Sequence, residues 1–420
     1  MRILVLSNLY PPHYIGGYEL RCAALTEALR GRGHEMRVLT SDHGVGPGAE
    51  EKDGVARRLR IHGYYGHPWL GPAPLRKLEF HNNATLRDEV AAFRPDIVHV
   101  WCLGGLSKSL CLTLQDLGLP VAYDVSDHWI LRSLAADVWL DWWNRSGGGL
   151  SSRMLRTAWT MAGLRRAWQK QAPTNPVRHI RFQRVYFTSA RLRELTVEKG
   201  YDVGHGEVIH CPVDTNRFQG EPVPADRPLR RWLWVGRLAE DKGILTALKA
   251  MKLAAGRVEG ELHVYGKGDA DYVRMLEGFV AEHSLPVRFE HAEAGRMPEI
   301  YRSHDALLFT SEWEEPFALT PLEGMASGLP VIGTMTGGSR ELFRHGENAL
   351  TYEAGDAAAL AERMAVLAAD GGMRARLAAA GHQEVRARFS MPAITDQTED
   401  FLKRAIREWK PESLPCYNEP

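Results

Sequence analysis

Residues 315 to 332 read EPFALTPLEGMASGLPVI, which sets two carboxylates, Glu315 and Glu323, on either side of a turn that opens a short helix. Thr320 as N-cap, Pro321 at the first helical position and Glu323 behind them form a capping box, so the helix is expected to begin at Thr320. Gly328 and Pro330 end it within two turns, and Val331 to Gly333 reads as the strand that follows. The free amides of a helix start attract anions. Glutamates repel phosphate but accept hydrogen bonds from hydroxyl groups, so the stretch suits a ligand that carries both phosphate and sugar. On spacing alone, a capping Glu323 and a solvated Glu315 explain the pair as well.

Outward from this stretch, apolar runs at Trp232–Val235, Leu262–Tyr265, Val287–Glu290 and Ala306–Thr310 alternate with helical stretches. That alternation is the pattern of a doubly wound parallel sheet. The first half repeats it at Ile3–Ser7, Met36–Thr40, Ile97–Trp101, Val121–Val125 and Val185–Thr188. There Tyr18 to Arg30 places Cys22, Leu25, Ala28 and Leu29 on one helical face before Gly31 and Gly33 stop it. The expected fold class is therefore α/β, with a Rossmann-like unit at residues 1–215 and another at 229–390. Residues 216–228 lie in a proline-rich stretch that reads as a hinge, 391–412 as a last helix and 413–420 as a disordered tail.

A chain of 420 residues is long enough for two such cores. Its formal net charge of zero supplies no global field to recruit nucleic acid or membrane, and no nucleic-acid partner is expected. Cys22, Cys102, Cys111, Cys211 and Cys416 are odd in number and contain no C-x-x-C, which argues for reduced thiols in a cytoplasmic setting and against a zinc site. The apolar run Ile3–Leu6 is too short for a signal peptide, and no run is long enough to span a bilayer.

The opening stretch resembles the E-x7-E signature of the retaining GT-B glycosyltransferases of family 4 (glycosyl transferases group 1), E-G-F-G-x-x-x-L-E-A-M-A-x-G-x-P-V-I. Phe317, Leu322, Glu323, Met325, Ala326, Gly328, Pro330 and Val331 fit, while Pro316 and Ala318 replace two glycines. The resemblance implies two domains facing a cleft, with the final helix crossing back to the first. It also implies that Glu315 contacts the donor sugar, Glu323 the ribose, and the amides of Phe317, Ala318 and Leu319 the sugar and phosphate. Val235-Gly236-Arg237-Leu238 and Asp241-Lys242-Gly243 match the family's V-G-R-L…K-G. Both cations follow a strand, at the sheet edge where doubly wound folds bind ligands, and can neutralise a diphosphate or simply be solvated. Gly16-Gly17 before the first helix, Gly266-Lys267-Gly268 after a strand and Gly338 in the G-G-x-x-E run Gly337–Glu341 resemble the remaining donor-binding elements, and each can also be only a turn. Val208–Phe218 resembles the family's interdomain linker.

The first half departs from the family at Asp124-Val125-Ser126-Asp127-His128-Trp129. Aligned on Asp127 and Trp129 with the family's T-x-H-D-x-W, Ser126 stands where His is usual and His128 follows two positions later. By this resemblance, in which the family's His touches the donor sugar, Asp127, Ser126 and His128 are the first-domain catalytic candidates, beside Glu315, Arg237 and Lys242, and His128 can equally be a packing or acceptor-side residue. Asp269-Ala270-Asp271 has a D-x-D form but reads as a helix cap, so no metal is expected. Between Trp142 and Arg193 there are eleven Arg and Lys residues and no Asp or Glu, and Trp139, Trp142, Trp143, Trp159 and Trp168 interleave with them. The segment 139–193 fits peripheral membrane contact at the inner face, a phosphorylated acceptor, or a core-packed helix with a solvated basic face.

The expected activity is transfer of a hexosyl or N-acetylhexosaminyl group, with retention and without metal or cofactor. The donor is a UDP-, GDP- or ADP-linked sugar and the acceptor a hydroxyl of a glycan, lipid-linked or small molecule, as in polysaccharide biosynthesis. A GT-B sugar-nucleotide epimerase and a non-catalytic sugar-nucleotide-binding subunit are the alternatives.

Overall fold

In the computed structural model, which describes residues 1–45, 53–134, 136–145 and 149–410, the apolar runs become the strands of two parallel sheets. The first sheet holds β1 (Arg2–Leu6), β2 (Glu35–Ser41), β3 (Val55–Leu59), β4 (Ile97–Val100), β5 (Val121–Val125), β6 (Val185–Phe187) and β7 (Glu207–Val208), in the order β3-β2-β1-β4-β5-β6-β7. The second holds β8 (Arg231–Val235), β9 (Glu261–Tyr265), β10 (Val287–Glu290), β11 (Ala306–Phe309), β12 (Val331–Thr334) and β13 (Leu350–Tyr352), in the order β10-β9-β8-β11-β12-β13. Central strands are buried on both faces, as Ile3 to Leu6 and Ala306 to Phe309 show, which is why they read as continuous apolar runs.

The chain divides into two units, one of residues 1–188, 193–209 and 395 onward, the other of residues 189–192 and 210–394. The passage at Ile209–His210 comes earlier than the sequence boundary at 215. Residues 216–228, expected as a hinge, pack onto the second unit: Val223 is buried, its amide donates to Gly328 O (3.0 Å), and Arg374 donates to Arg227 O (2.7 Å). The last helix, Met391–Arg407, leaves the second unit after Ile394. Its Phe401 then meets Tyr186 (5.0 Å between ring centres), and Arg404 grips Glu207 through two bonds of 2.6 and 2.8 Å, all within the first unit. The expected tail and Cys416 lie outside the described residues, and Cys22, Cys102, Cys111 and Cys211 are buried and not joined in disulfides.

The signature helix runs from Leu319 to Ala326 with Ala318 as N-cap, not from a Thr320 cap. Thr320 and Pro321 fall inside its first turn, where a missing proline N–H costs nothing because that donor has no intrahelical partner. The capping box is not made: Glu323 lies too far along the helix, and its carboxylate accepts from Tyr301 Oη (2.8 Å). Gly328 sits just past the helix at φ +82°, as read.

In the basic segment, the helices Val138–Asn144, Leu150–Met161 and Leu164–Gln169 turn their tryptophans inward. Trp142 meets Trp143 (4.7 Å) and Trp159 (5.2 Å), and Trp159 meets Trp168 (5.0 Å), with the guanidinium of Arg76 over Trp168.

Candidate functional site

In the second unit the candidate residues sit at the carboxyl edge of the sheet, where the loops after β8 and β11 meet. Gly243 opens the helix Ile244–Leu253 at φ +64°, pressed so closely on Thr310 O that a Cβ would overlap it. The Lys242 loop is thereby locked to the end of β11: Thr310 Oγ1 donates to Lys242 O (2.8 Å), Glu312 N to Asp241 O (2.9 Å), and Thr246 Oγ1 to Glu312 Oε1 (2.6 Å). From this frame Lys242 Nζ reaches Glu315 Oε1, which also accepts from Ser311 Oγ (2.8 Å), while the ammonium lies over the Trp313 ring (5.4 Å). Both side chains are mostly enclosed, at 21% and 11% exposed, so the pair is screened less than a surface pair.

Arg237 stands on the same loop but is turned outward, paired with Asp241 (3.0 Å) and 63% exposed. It borders a hollow of about 480 Å³ with Lys267 and Gly268. A second hollow of about 520 Å³ lies between Leu238, Gly266, Gly268, Phe289 and His291. Gly266 and Gly268 have a packing reason as well, since a side chain on either would strike the backbone at Gly236 or Leu238.

The helix start after Glu315 presents the amides of Ala318, Leu319 and Thr320 without intrahelical acceptors. Gly337, at φ +54°, and Gly338 lie flat on the Glu315 and Pro316 backbone, with Gly338 N donating to Glu315 O (2.7 Å). Glu341 anchors this turn by accepting from His210 Nε2 (3.0 Å) and Arg191 N (3.1 Å). Burial opposes its charge, but these bonds outweigh that and hold its carboxyl below the usual value. Glu314, which sequence reasoning passed over, is held ionised by Arg191 (3.1 Å). Burial of the Glu323 carboxyl, partly offset by Tyr301, pushes it up to about 7. Asp269 accepts from the amides of Asp271 and Tyr272 as the N-cap of the helix Ala270–Glu282. Among the described residues no group of three His, Cys, Asp or Glu is arranged to hold a metal ion.

In the first unit Asp124, fully buried, holds Arg21 through bonds of 3.1 and 2.8 Å. Ser126 Oγ is tied to both partners, so the residue at the position of the family's His is a strut in this pair. Asp127 accepts from Trp129 N (2.8 Å) and faces Cys102 Sγ (3.9 Å), and burial raises its carboxyl to about 6. His128, largely buried, precedes the helix Trp129–Ser133. Arg21 and Asp124, 103 residues apart, carried no local signal. Gly16 N-caps the first helix in an extended conformation, its amide donating to Glu19 Oε2 (3.0 Å). A Cβ there would meet open space, and Gly16 and Gly17 both have φ outside the left-handed region, so neither backbone strain nor packing demands a glycine at 16.

Residues 15–217 match the Glycosyltransferase Family 4 model and residues 221–384 the Glycosyl transferases group 1 model. An uncharacterised glycosyltransferase of Methanocaldococcus jannaschii is 24% identical over 97% of this chain and 99% of its own length. Among the solved structures that share the fold are the following two. Sucrose-phosphate synthase from Thermosynechococcus elongatus has a TM-score of 0.68, 20% identity, and coverage of 97% of this chain and 99% of its own. Anabaena HepE in complex with UDP-glucose has a TM-score of 0.66, 18% identity, and coverage of 96% and 99%. With both halves matched and the two parallel-sheet units in place, the chain belongs to the family 4 (group 1) glycosyltransferases of GT-B fold.

Proposed function

We propose that this glycosyltransferase moves a hexosyl or N-acetylhexosaminyl group from a UDP-, GDP- or ADP-linked donor to an acceptor hydroxyl, with retention of anomeric configuration and without metal. The observation that carries the reading is the enclosed Lys242–Glu315 pair beside the free amides of the Leu319 helix start. A donor enters by exchanging partners: Lys242 turns to the diphosphate, Glu315 accepts from sugar hydroxyls, and Glu323 accepts from the ribose. The acceptor oxygen bonds to the anomeric carbon as the bond to the β-phosphate oxygen breaks, and the hydroxyl proton passes to the departing diphosphate. Negative charge grows on that leaving group, so Lys242, Arg237 and the helix-start amides act most strongly in the transition state. Asp127 orients the acceptor hydroxyl. HepE, a structural relative, is known with UDP-glucose bound, which supports a nucleotide-sugar donor.

The test is incubation of the protein with UDP-, GDP- and ADP-sugars and a panel of acceptors, with the product anomer read by NMR and EDTA added in parallel. Inverted product, or activity lost to EDTA and restored by a divalent cation, contradicts the proposal.

For the basic segment we propose peripheral contact with an anionic membrane. Among the described residues no helix is long and apolar enough to cross one. The helix Leu150–Met161 has no buried residue, and Leu150, Met154 and Met161 form an outward stripe 78%, 72% and 84% exposed. Salt-sensitive sedimentation with phosphatidylglycerol vesicles, reduced in Met154→Glu, is expected; wild-type protein that stays in the supernatant overturns it.

A further inference from the structure

The loop joining β3 to the helix Pro72–Phe93 reads IHGYYGHPWLG at residues 61–71, rich in aromatics and without a single Asp, Glu, Lys or Arg. It lies at the carboxyl edge of the first sheet, with Asp127 after β5. Within it Trp69 is held on one side and open on the other. Its ring lies against Gly63, whose φ of +68° and missing Cβ make room for it, and it meets Tyr64 (5.5 Å) and His62 (5.9 Å) edge-on. The loop is closed by Gly63 N donating to Pro68 O (3.0 Å) and His67 N to Tyr64 O (2.9 Å). Yet Trp69 remains 62% exposed and Tyr64 39% exposed. A tryptophan so firmly seated gains little from being left in water unless its open face is used.

The loop is connected to the candidate acceptor side. Tyr65 Oη accepts from Asn8 Nδ2 (2.8 Å), which also donates to Gly104 O (3.1 Å). Asn8 N donates to Cys102 O (2.9 Å), and the Cys102 thiol faces Asp127 (3.9 Å). Imidazoles lie beside the aromatic platform. His43 Nδ1 lies 3.0 Å from His67 Nε2, and burial together with the neighbouring histidines lowers the His43 pKa.

We infer that Trp69 is a saccharide-binding residue, with Tyr64 beside it, that stacks on the apolar C–H face of a pyranose of the acceptor, so that the acceptor is a glycan. The inference rests on the glycosyltransferase reading. An uncharged aromatic face ringed by imidazole and phenol suits a neutral polyol with alternating C–H and O–H groups. A phosphorylated acceptor or an anionic lipid headgroup calls for cations, which this loop lacks.

The experiment uses the full chain on a glycan microarray, with hits and the trisaccharides maltotriose, cellotriose and chitotriose measured by saturation-transfer NMR. Wild type, Trp69→Ala and Trp69→Phe are compared, each also tested for UDP, GDP and ADP binding by thermal shift. The expected result is saccharide binding that weakens about tenfold in Trp69→Ala and is largely kept in Trp69→Phe, with nucleotide shifts equal in all three. Saccharide binding unchanged in Trp69→Ala, or no glycan bound by the wild type at millimolar concentration, overturns the inference. Loss of nucleotide binding in the wild type instead strikes the donor-site reading and leaves the saccharide measurement to stand alone.

Discussion

With Glu323 on the ribose, as proposed, donor binding is coupled to pH. The Glu323 carboxyl, near 4.5 when exposed, is raised by burial to about 7. Between those values the folded protein keeps a proton that the unfolded chain has lost, so stability falls as pH rises across that window and is flat above it. The full span is on the order of 3 kcal/mol. Glu323→Gln should remove this loss and melt higher than wild type at pH 8 but not at pH 4. Ribose hydroxyls that donate to Glu323 favour its ionised form, so nucleotide affinity should tighten from pH 6 to pH 8. The diphosphate's own ionisation acts equally on both proteins, so the difference in slope between wild type and Glu323→Gln, measured by calorimetry, isolates the side chain. Equal slopes contradict the ribose role. Lys242 and Glu315 are read from turnover. Lys242→Ala should lower kcat by roughly a hundredfold or more, the scale for removing a preorganised charge from a transition state. Near-normal kcat in that variant removes the proposed leaving-group contact.

Two glycines at helix starts separate what the fold requires from what a ligand requires. Gly243 has φ +64° and no room for a methyl group against Thr310 O. Gly243→Ala should therefore cost about 1–3 kcal/mol of stability and loosen Lys242 with it. Gly16 is extended and faces open space. Gly16→Ala should melt with the wild type and weaken only nucleotide binding, as calorimetry would show; unchanged affinity removes Gly16 from the donor site. What the sequence displayed follows the same division between local and distant causes. Val121–Val125 and Val287–Glu290 were legible to the residue because apolar runs bounded by turns have local causes. The edge strand Val55–Leu59 was not, since Arg57 and Arg58 interrupt it, and Glu207–Val208 and Leu350–Tyr352 are too short to show a period. The sequence places the cap of the signature helix two residues late, at Thr320 and not Ala318, because the partner that claims Glu323 is Tyr301, on another helix. Glu315 and Lys242 were legible as motif residues, but their pairing, 73 positions apart, is a product of the fold.

At the scale of the molecule, a net charge of zero conceals an uneven distribution: residues 142–193 carry only positive charge, and the balancing carboxylates lie elsewhere. Global charge therefore predicts little about either ligand, and in the proposed reading fixed amides and a few enclosed ions recognise the donor. Hydrogen–deuterium exchange on the full chain, with and without nucleoside diphosphate, can locate those amides in both units at once. Protection is expected across 237–246, 317–323 and 336–341, where the Lys242 loop, the signature helix start and the Gly337–Gly338 turn converge on Glu315. If the diphosphate also meets Gly16-Gly17, the amides of residues 17–19 gain protection, while the 61–71 loop, reserved for the acceptor, exchanges as before. Protection confined to the second unit would withdraw Gly16 and Gly17 from the donor site. Protection of 61–71 by nucleotide alone would show that the Trp69 platform serves the donor, because a saccharide site for the acceptor has no reason to respond to a base and two phosphates.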